Sequence, residues 1–257
     1  MSFTFYGDLL GISGSYKLSP AVAHKKLSDF YNTTFFSIDA DWERANDVET
    51  LMISDSLLIT GNAAPESALE QLLLVYMKLL HKGLLLRGAI VSNRLRYQPR
   101  ITRENFAKML PKDDTLARAV GLEGTQKGAR LLIEPGLAQQ MLAEEPDWLT
   151  HEGYVRNVKG RTNQPYESVL RRICPTPDGS CYELLYFWVQ SQDLNHHTTD
   201  YRRRRDELGE IKKMVREDLG MHYKETSELL SRCENRHAFT DKYFGIPNAV
   251  YALMDPE

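Results

Sequence analysis

Short runs of apolar and β-branched residues alternate along this chain with longer stretches of helical periodicity. Residues 3–6, aromatic and β-branched, read as a short buried strand. Gly7, Gly11 and Gly14 then fall within residues 7–15 and predict a flexible turn. Ser19-Pro20 is a helix start, with serine as the cap and proline in the first position. Val22, Leu27, Phe30 and Tyr31 continue it as one stripe. Residues 33–38 predict a second strand, and residues 50–60 a third with Asp55 in its middle. Pro65 opens a strong helix through Leu72, Val75, Tyr76, Leu79 and Leu80 that stops at Gly83. Residues 84–91 predict a fourth strand, Thr115–Glu123 a short helix, and residues 130–133 a further strand.

The first 135 residues therefore read β-α-β-β-α-β, then α-β, the order of a split βαβ or palm-like core. Residues 182–190 predict one more strand. Two helices follow near 199–219 and 222–235, the first with Leu208, Ile211, Met214, Val215 and Leu219 on one face. The fold class expected is α+β, a sheet flanked by helices with a helical C-terminal extension. Residues 1–135 form the core, and 136–257 the C-terminal part of the same domain, covering the sheet or extending a dimer interface.

Composition narrows the function classes. The chain has 257 residues and is long enough to bury a core without disulfide or metal staples. Its 32 Lys+Arg against 35 Asp+Glu give a net charge of -3, not the basic surplus of a general nucleic-acid binder. A hydrophobic content of 42% excludes disorder of the whole chain. Cys174, Cys181 and Cys233 are odd in number and lack C-x-x-C spacing, which fits a reducing cytoplasm rather than a disulfide scaffold. The longest apolar stretch, near residues 72–80, is broken by Lys78 and too short to span a bilayer, and Asp8 interrupts the start where an export signal needs an apolar run.

Two acids change the picture. Asp8 ends the first strand and Asp55 lies within the third, and in this topology those strands are neighbours. Carboxylates so placed can hold two divalent cations about 3.5–4 Å apart, the two-metal device of phosphoryl transfer. Gly11, Ile12, Ser13 and Gly14 offer backbone N–H groups beside Asp8, ahead of a helix start that favours anions, so a triphosphate fits there. An aspartate after a strand also serves as a plain turn former, and a glycine turn as only a turn. A charge inside a buried strand is less ordinary, because it is costly unless paired or metal-bound.

The runs Tyr6-Gly7-Asp8-Leu9-Leu10-Gly11-Ile12-Ser13, Ile53-Ser54-Asp55-Ser56 and Leu86-Arg87-Gly88-Ala89-Ile90, in this order, resemble the catalytic domain of class III nucleotidyl cyclases. More narrowly they resemble the pyrimidine nucleotide cyclases of the Pycsar anti-phage system. The stretch from Asp114 to Glu123 is similar to the D-T-V-N-x-A-x-R-L-E helix of the wider family. The resemblance covers roughly residues 3–135. It implies that Asp8 and Asp55, with the backbone carbonyl of Leu9, bind two Mg²⁺ or Mn²⁺ ions. It also implies that the 3′-hydroxyl of a nucleoside triphosphate attacks its own α-phosphate, releasing pyrophosphate and a 3′,5′-cyclic nucleotide. The expected substrate is UTP and the product cyclic UMP, an antiviral second messenger read by a separate effector; CTP is the alternative. The expected assembly is a cytoplasmic head-to-tail homodimer with sites at the interface. Thr50 and Asp114 become candidate base contacts, and Arg87 and Arg118 candidate cations for the triphosphate and transition state.

The chain departs from the wider family at three places. The helix Asn and Arg are here Ala117 and Gly121, the purine-reading position falls near Leu51, and the glycine after R-G-A-I is replaced near Asn93. Ala117 and Gly121 motivate two other readings, a catalytically inactive nucleotide-binding module and a palm-fold nucleotidyltransferase that joins two nucleotides. A pure scaffold is the remaining one. The Arg202 to Arg205 run is followed by Asp206, Glu207 and Glu210 and reads as a solvated helix face. His196-His197 reads as a loop pair, and Trp148, Tyr154, Tyr182, Tyr186, Phe187 and Trp188 as core.

Overall fold

A computed structural model describes residues 2–98, 102–103, 106–107, 110–144, 151–156, 163–168, 173–186, 209–215 and 220–231. The chain opens with β1 (Phe3–Leu9), followed by three helices, α1 (Ile12–Leu18), α2 (Pro20–Phe35) and α3 (Ala40–Ala45). A hairpin of β2 (Glu49–Ile53) and β3 (Ser56–Gly61) leads into α4 (Pro65–His81) and β4 (Leu86–Ser92). A two-residue ladder of β5 (Thr102–Arg103) and β6 (Phe106–Ala107) precedes α5 (Thr115–Glu123), β7 (Leu131–Ile133) and α6 (Pro135–Glu144). Among the described residues, strands β8 (His151–Arg156) and β9 (Asn163–Ser168) pair only with each other. The strands β10 (Ile173–Pro175) and β11 (Tyr182–Leu184) return to the main sheet. Residues 209–214 and 221–231 are helical.

The main sheet runs β10-β11-β7-β4-β1-β3-β2. Its heart, β4-β1-β3-β2, is antiparallel throughout. The crossover from β1 to β2 runs through α1–α3, that from β3 to β4 through α4, and each leaves one strand between its ends, which is the split βαβ arrangement. The fold is α+β, as the periodicity predicts. β7 then adds parallel to β4 after α5.

Alternation along β1 sets the two faces. Phe3, Phe5 and Leu9 point into the main apolar cluster, where α4 supplies Leu69, Leu72, Val75, Tyr76, Leu79 and Leu80. Each such side chain stabilises by about 1.5–3 kcal/mol relative to exposure, so burial rather than propensity holds α4 in place. The Phe5 ring lies over Gly7 and Gly88, which face each other in register. A Cβ on either glycine would come within 2.7 Å or 2.5 Å of that ring. Thr4, Tyr6 and Asp8 line the other face, on which α5 lies against β1 and β4.

Several expected elements need correction. The strand predicted at 33–38 is the end of α2 and a turn. Phe30, Thr33 and Thr34 share the buried side of the helix, and Phe36 N–H still bonds Asn32 O, so tertiary burial overrides the β propensity of the threonines and phenylalanines. The strand predicted at 50–60 is two strands. Ile53 pairs with Ser56, and Ser54 turns the chain with φ 55°. That positive φ is what a two-residue hairpin loop needs, and Ser-Asp carries no glycine or asparagine to announce it. Asp55 therefore sits at a hairpin tip rather than inside a strand. The expected glycine turn is also shorter: Gly11, φ 82°, caps α1, while Ile12, Ser13 and Gly14 already belong to the helix.

The strand predicted at 182–190 ends at Leu184. Of the helices expected at 199–219 and 222–235, residues 209–214 and 221–231 are helical, with Ile211 and Val215 buried and Met214 half exposed. Arg202 to Arg205, His196-His197, Trp148, Phe187, Trp188 and Cys233 lie outside the described residues. Among the described residues no helix is long and apolar enough to cross a membrane.

Candidate functional site

Strand pairing decides what meets Asp8. It stands opposite Ser56 of β3 on one side and Arg87 of β4 on the other, and directly opposed residues share a face. Ser56 Oγ donates to Asp8 Oδ1 at 3.5 Å, and the Tyr6 and Ser56 hydroxyls are 3.2 Å apart. The hairpin tip bends Asp55 to the same end of β1, where Leu9 N–H donates to the Asp55 carbonyl at 2.8 Å. The corrected topology thus still brings Asp55 to Asp8.

The charges at this end do not balance. Arg87 Nε donates to Glu123 Oε1 from the last turn of α5, both side chains being largely buried. Among the described residues, neither Asp8 nor Asp55 forms an ion pair of its own. Burial is the first cause that pushes the Asp8 carboxyl up to about 6; the Asp55 and Glu123 charges push the same way, and Arg87 and the Ser56 bond oppose them. Burial likewise raises the Glu123 carboxyl, against the pull of Arg87 and Lys127.

The glycine turn lies next along the chain. Leu10 N–H is taken by Leu85 O, and the first helical bond of α1 runs from Ser15 N–H to Gly11 O at 3.1 Å. The N–H groups of Ile12, Ser13 and Gly14 precede that bond, as in any first helical turn. α1 is a single short helix of 7 residues that gives way to α2 at Ser19, whose hydroxyl caps the latter through Ala21 N–H.

The other expected site residues lie apart from Asp8 within one chain. Thr50, exposed on the edge strand β2, donates to Glu43 Oε1 at 2.6 Å. Asp114 stands at the start of α5 without a side-chain capping bond; its side chain is 76% exposed and its Oδ1 lies 3.4 Å from Arg118 Nε. Arg118 also bonds Glu134 and donates to the Ser92 carbonyl at 2.9 Å. Ser92 pairs with Phe3, at the opposite end of β1. Five residues at about 3.4 Å each put that end roughly 17 Å from Asp8. Ala117 and Gly121 lie on α5, and a Cβ on Gly121 would meet nothing.

Sequence reasoning gave no role to Ser56, Glu123, Lys127, His222 or Tyr223. Ser56 and Glu123 stand within the motif runs themselves, which is the signal that could have found them. His222 and Tyr223 come from the helix at 221–231 and carry no local signal; packing alone brings them here.

A divalent cation fits Asp8 and Asp55 on chemical grounds. The donors are carboxylate oxygens, which suit hard ions such as Mg²⁺ and Mn²⁺, and the uncompensated negative charge at Asp8 is the kind such an ion relieves. Among the described residues no group of three or more His, Cys, Asp or Glu side chains is placed to hold a metal.

No protein-family profile matches the chain, and no curated protein matches it in sequence. Solved structures do. The adenylyl cyclase CyaB from P. aeruginosa is similar over 71% of this chain and 92% of its own, at 13% identity and a TM-score of 0.47. The guanylate cyclase domain of RhGC from Catenaria anguillulae covers 66% of this chain and 96% of its own, at 18% identity and 0.41. An adenylate cyclase from Trypanosoma brucei covers 72% and 88%, at 12% identity and 0.47.

Proposed function

We propose that this chain is a metal-dependent pyrimidine nucleotide cyclase that converts UTP to 3′,5′-cyclic UMP and pyrophosphate. The observation that carries the proposal is the meeting of Asp8 and Asp55 at one end of β1, beside the Gly11 turn, in a chain whose motif order resembles the class III cyclases.

The roles combine this placement with what the resemblance implies. Asp8 and Asp55, with the Leu9 carbonyl, would hold two Mg²⁺ or Mn²⁺ ions. Ions bound there supply neutralisation of phosphate charge and acidify the attacking hydroxyl. Residues 11–14 give the phosphate tail a turn of backbone donors. Ser56 orients the Asp8 carboxylate through its hydrogen bond, and Arg87, locked by Glu123, keeps a fixed positive charge one strand away. The ribose 3′-oxygen would bond to the α-phosphorus, its proton passing to solvent, while the bond from that phosphorus to the pyrophosphate oxygen breaks.

Asp114 and Arg118 stand too far from Asp8 to serve it within one chain. A head-to-tail homodimer would bring the Asp114–Arg118 end of one copy to Asp8 of the other, with Thr50 beside the base. The cyclic product would act on a separate effector in an anti-phage response.

Incubation of the purified chain with each of the four triphosphates and Mn²⁺, followed by mass spectrometry, tests the proposal. The expected result is cyclic UMP from UTP, lost at least about a hundred-fold in Asp55→Ala, since even supporting partners of metal ligands cost 10–100-fold. Turnover of CTP alone would move the specificity, and a dinucleotide product would point to a nucleotidyltransferase. No product from any triphosphate would contradict catalysis. One observation favours the non-catalytic reading: Arg118 is held by Glu134 and Ser92, and Gly121 has no side chain to replace it. That reading predicts nucleotide binding without turnover.

A further inference from the structure

The C-terminal ends of α2 and α4 enclose a cavity of about 380 Å³, lined by Asn32, Thr33 and Phe36 from the first and by Lys78, His81 and Lys82 from the second. That volume is in the range of small-molecule sites. None of Asp8, Asp55 and Gly11 lines it.

Helix ends ordinarily present unpaired carbonyls. Here they are taken. Asn32 O accepts from Phe36 N–H, Thr33 O from the Ser37 hydroxyl, and Thr34 O from the N–H groups of Ser37 and Ile38. On α4, Leu79 O accepts from Lys82 and Leu84 N–H, and Leu80 O from Gly83 N–H. His81 Nδ1 donates to Met77 O at 2.7 Å, and the Lys78 ammonium to Phe36 O at 3.3 Å.

Donors remain. The Lys78 ammonium keeps protons to give beyond the Phe36 bond. Lys82 meets Asp29 at 4.0 Å, too long for a hydrogen bond, with both side chains half exposed. Thr33 is 6% exposed, and its hydroxyl makes no hydrogen bond. A helical threonine has two accessible rotamers, so turning this hydroxyl to a ligand breaks no existing bond. A buried polar atom left without a partner is uncommon. Lys78 and His81 also offset the negative end of α4, as last-turn cations do, so what marks the cavity is its surplus of donors rather than its net charge. Its apolar wall is the Phe36 ring, 75% exposed and set edge-on to Phe35 at 5.1 Å between centroids. The lysine stems extend that wall.

We propose that this cavity binds a small amphiphilic carboxylate. Its acyl or aryl body lies against Phe36 and the lysine stems, and its carboxylate accepts from Lys78, Lys82 and Thr33. The site is independent of the nucleotide reading, with which it shares no residue.

Ligand-observed NMR titration of the full chain with octanoate, acetate and octan-1-ol tests it. The wild type should bind octanoate at least about ten-fold more tightly than acetate, which lacks the chain, or octan-1-ol, which lacks the charge. Lys82→Gln should weaken octanoate about five-fold and leave octan-1-ol unchanged. Thr33→Val should weaken octanoate about three-fold, whereas Thr34→Val, one residue on and outside the lining, should not. Phe36→Ala should weaken octanoate and octan-1-ol alike. Lys82 and Phe36 are exposed enough that their variants keep the test valid if Thr33→Val fails to fold. No binding of octanoate by the wild type would overturn the site. So would equal affinity for octan-1-ol, or octanoate binding that both Lys82→Gln and Phe36→Ala leave unchanged.

Discussion

At the scale of single residues, Asp8 carries the clearest conflict between stability and the proposed function. Its carboxyl titrates near 6 in the folded chain against an ordinary 3.8, with burial the first cause and the Asp55 charge the second. The folded state thus holds a proton that the unfolded state releases between those values, so stability falls as pH rises through that window. Asp8→Asn removes the buried charge. Without metal at pH 7.5 the variant should melt higher than wild type, by about 1 kcal/mol once the half-exposed site is discounted for screening, or ~2–4 °C. At pH 5 the difference should shrink, because wild-type Asp8 is then mostly protonated. The same variant should lose the proposed cyclase activity. Differential scanning fluorimetry across pH measures this, and a lower melting point for Asp8→Asn at pH 7.5 would show that the charge is already compensated within the fold. That Asp8 and Asp55 come together at one end of β1 was legible in the sequence. The reason given for Asp55, a charge inside a strand, was not the right one, since it stands at a turn.

At the scale of elements, the slot formed by Gly7 and Gly88 fixes the spacing of β1 and β4 at the site. A Cβ on Gly88 would lie 2.8 Å from Tyr6 O as well as 2.5 Å from the Phe5 ring, and the backbone oxygen cannot move aside without breaking the ladder. Gly88→Ala should therefore cost about 1–3 kcal/mol in urea unfolding. Gly14→Ala in α1, where a Cβ meets nothing, should be neutral or stabilise by up to about 1 kcal/mol. Equal effects of the two would contradict the close approach. The long, strongly periodic helices were legible: α4 begins at Pro65, and α5 spans Thr115–Glu123 as expected. Residues 33–38 misled because two threonines and two phenylalanines carry strand propensity, while the buried face that decides the matter belongs to the preceding helix. The β2–β3 turn misled because Ser54 takes a positive φ without the usual residue for it. The two errors offset each other: one strand lost and one gained leave the β-α-β-β-α-β order intact.

At the scale of the whole molecule, the sheet gathers the candidate site and the helix at residues 221–231 docks on the core through Leu229, Leu230 and the Arg130–Glu225 pair. The order β4-β1-β3-β2 places Asp8 on a central strand, with Arg87 and Ser56 on its neighbours, and follows from the element order alone. The contribution of residues 221–231 was not legible, because it depends on Arg130, Glu183 and Glu225, which lie far apart in sequence and show no periodic or motif signal. The account as a whole rests on Asp8 and Asp55 acting together as a cation site. Calorimetric titration of Mn²⁺ into wild type and Asp55→Ala, each with a non-cleavable α,β-methylene UTP analogue bound, measures that directly. The account predicts Mn²⁺ binding by the wild type and at least about ten-fold weaker binding by Asp55→Ala. Equal Mn²⁺ affinity in the two proteins would contradict it.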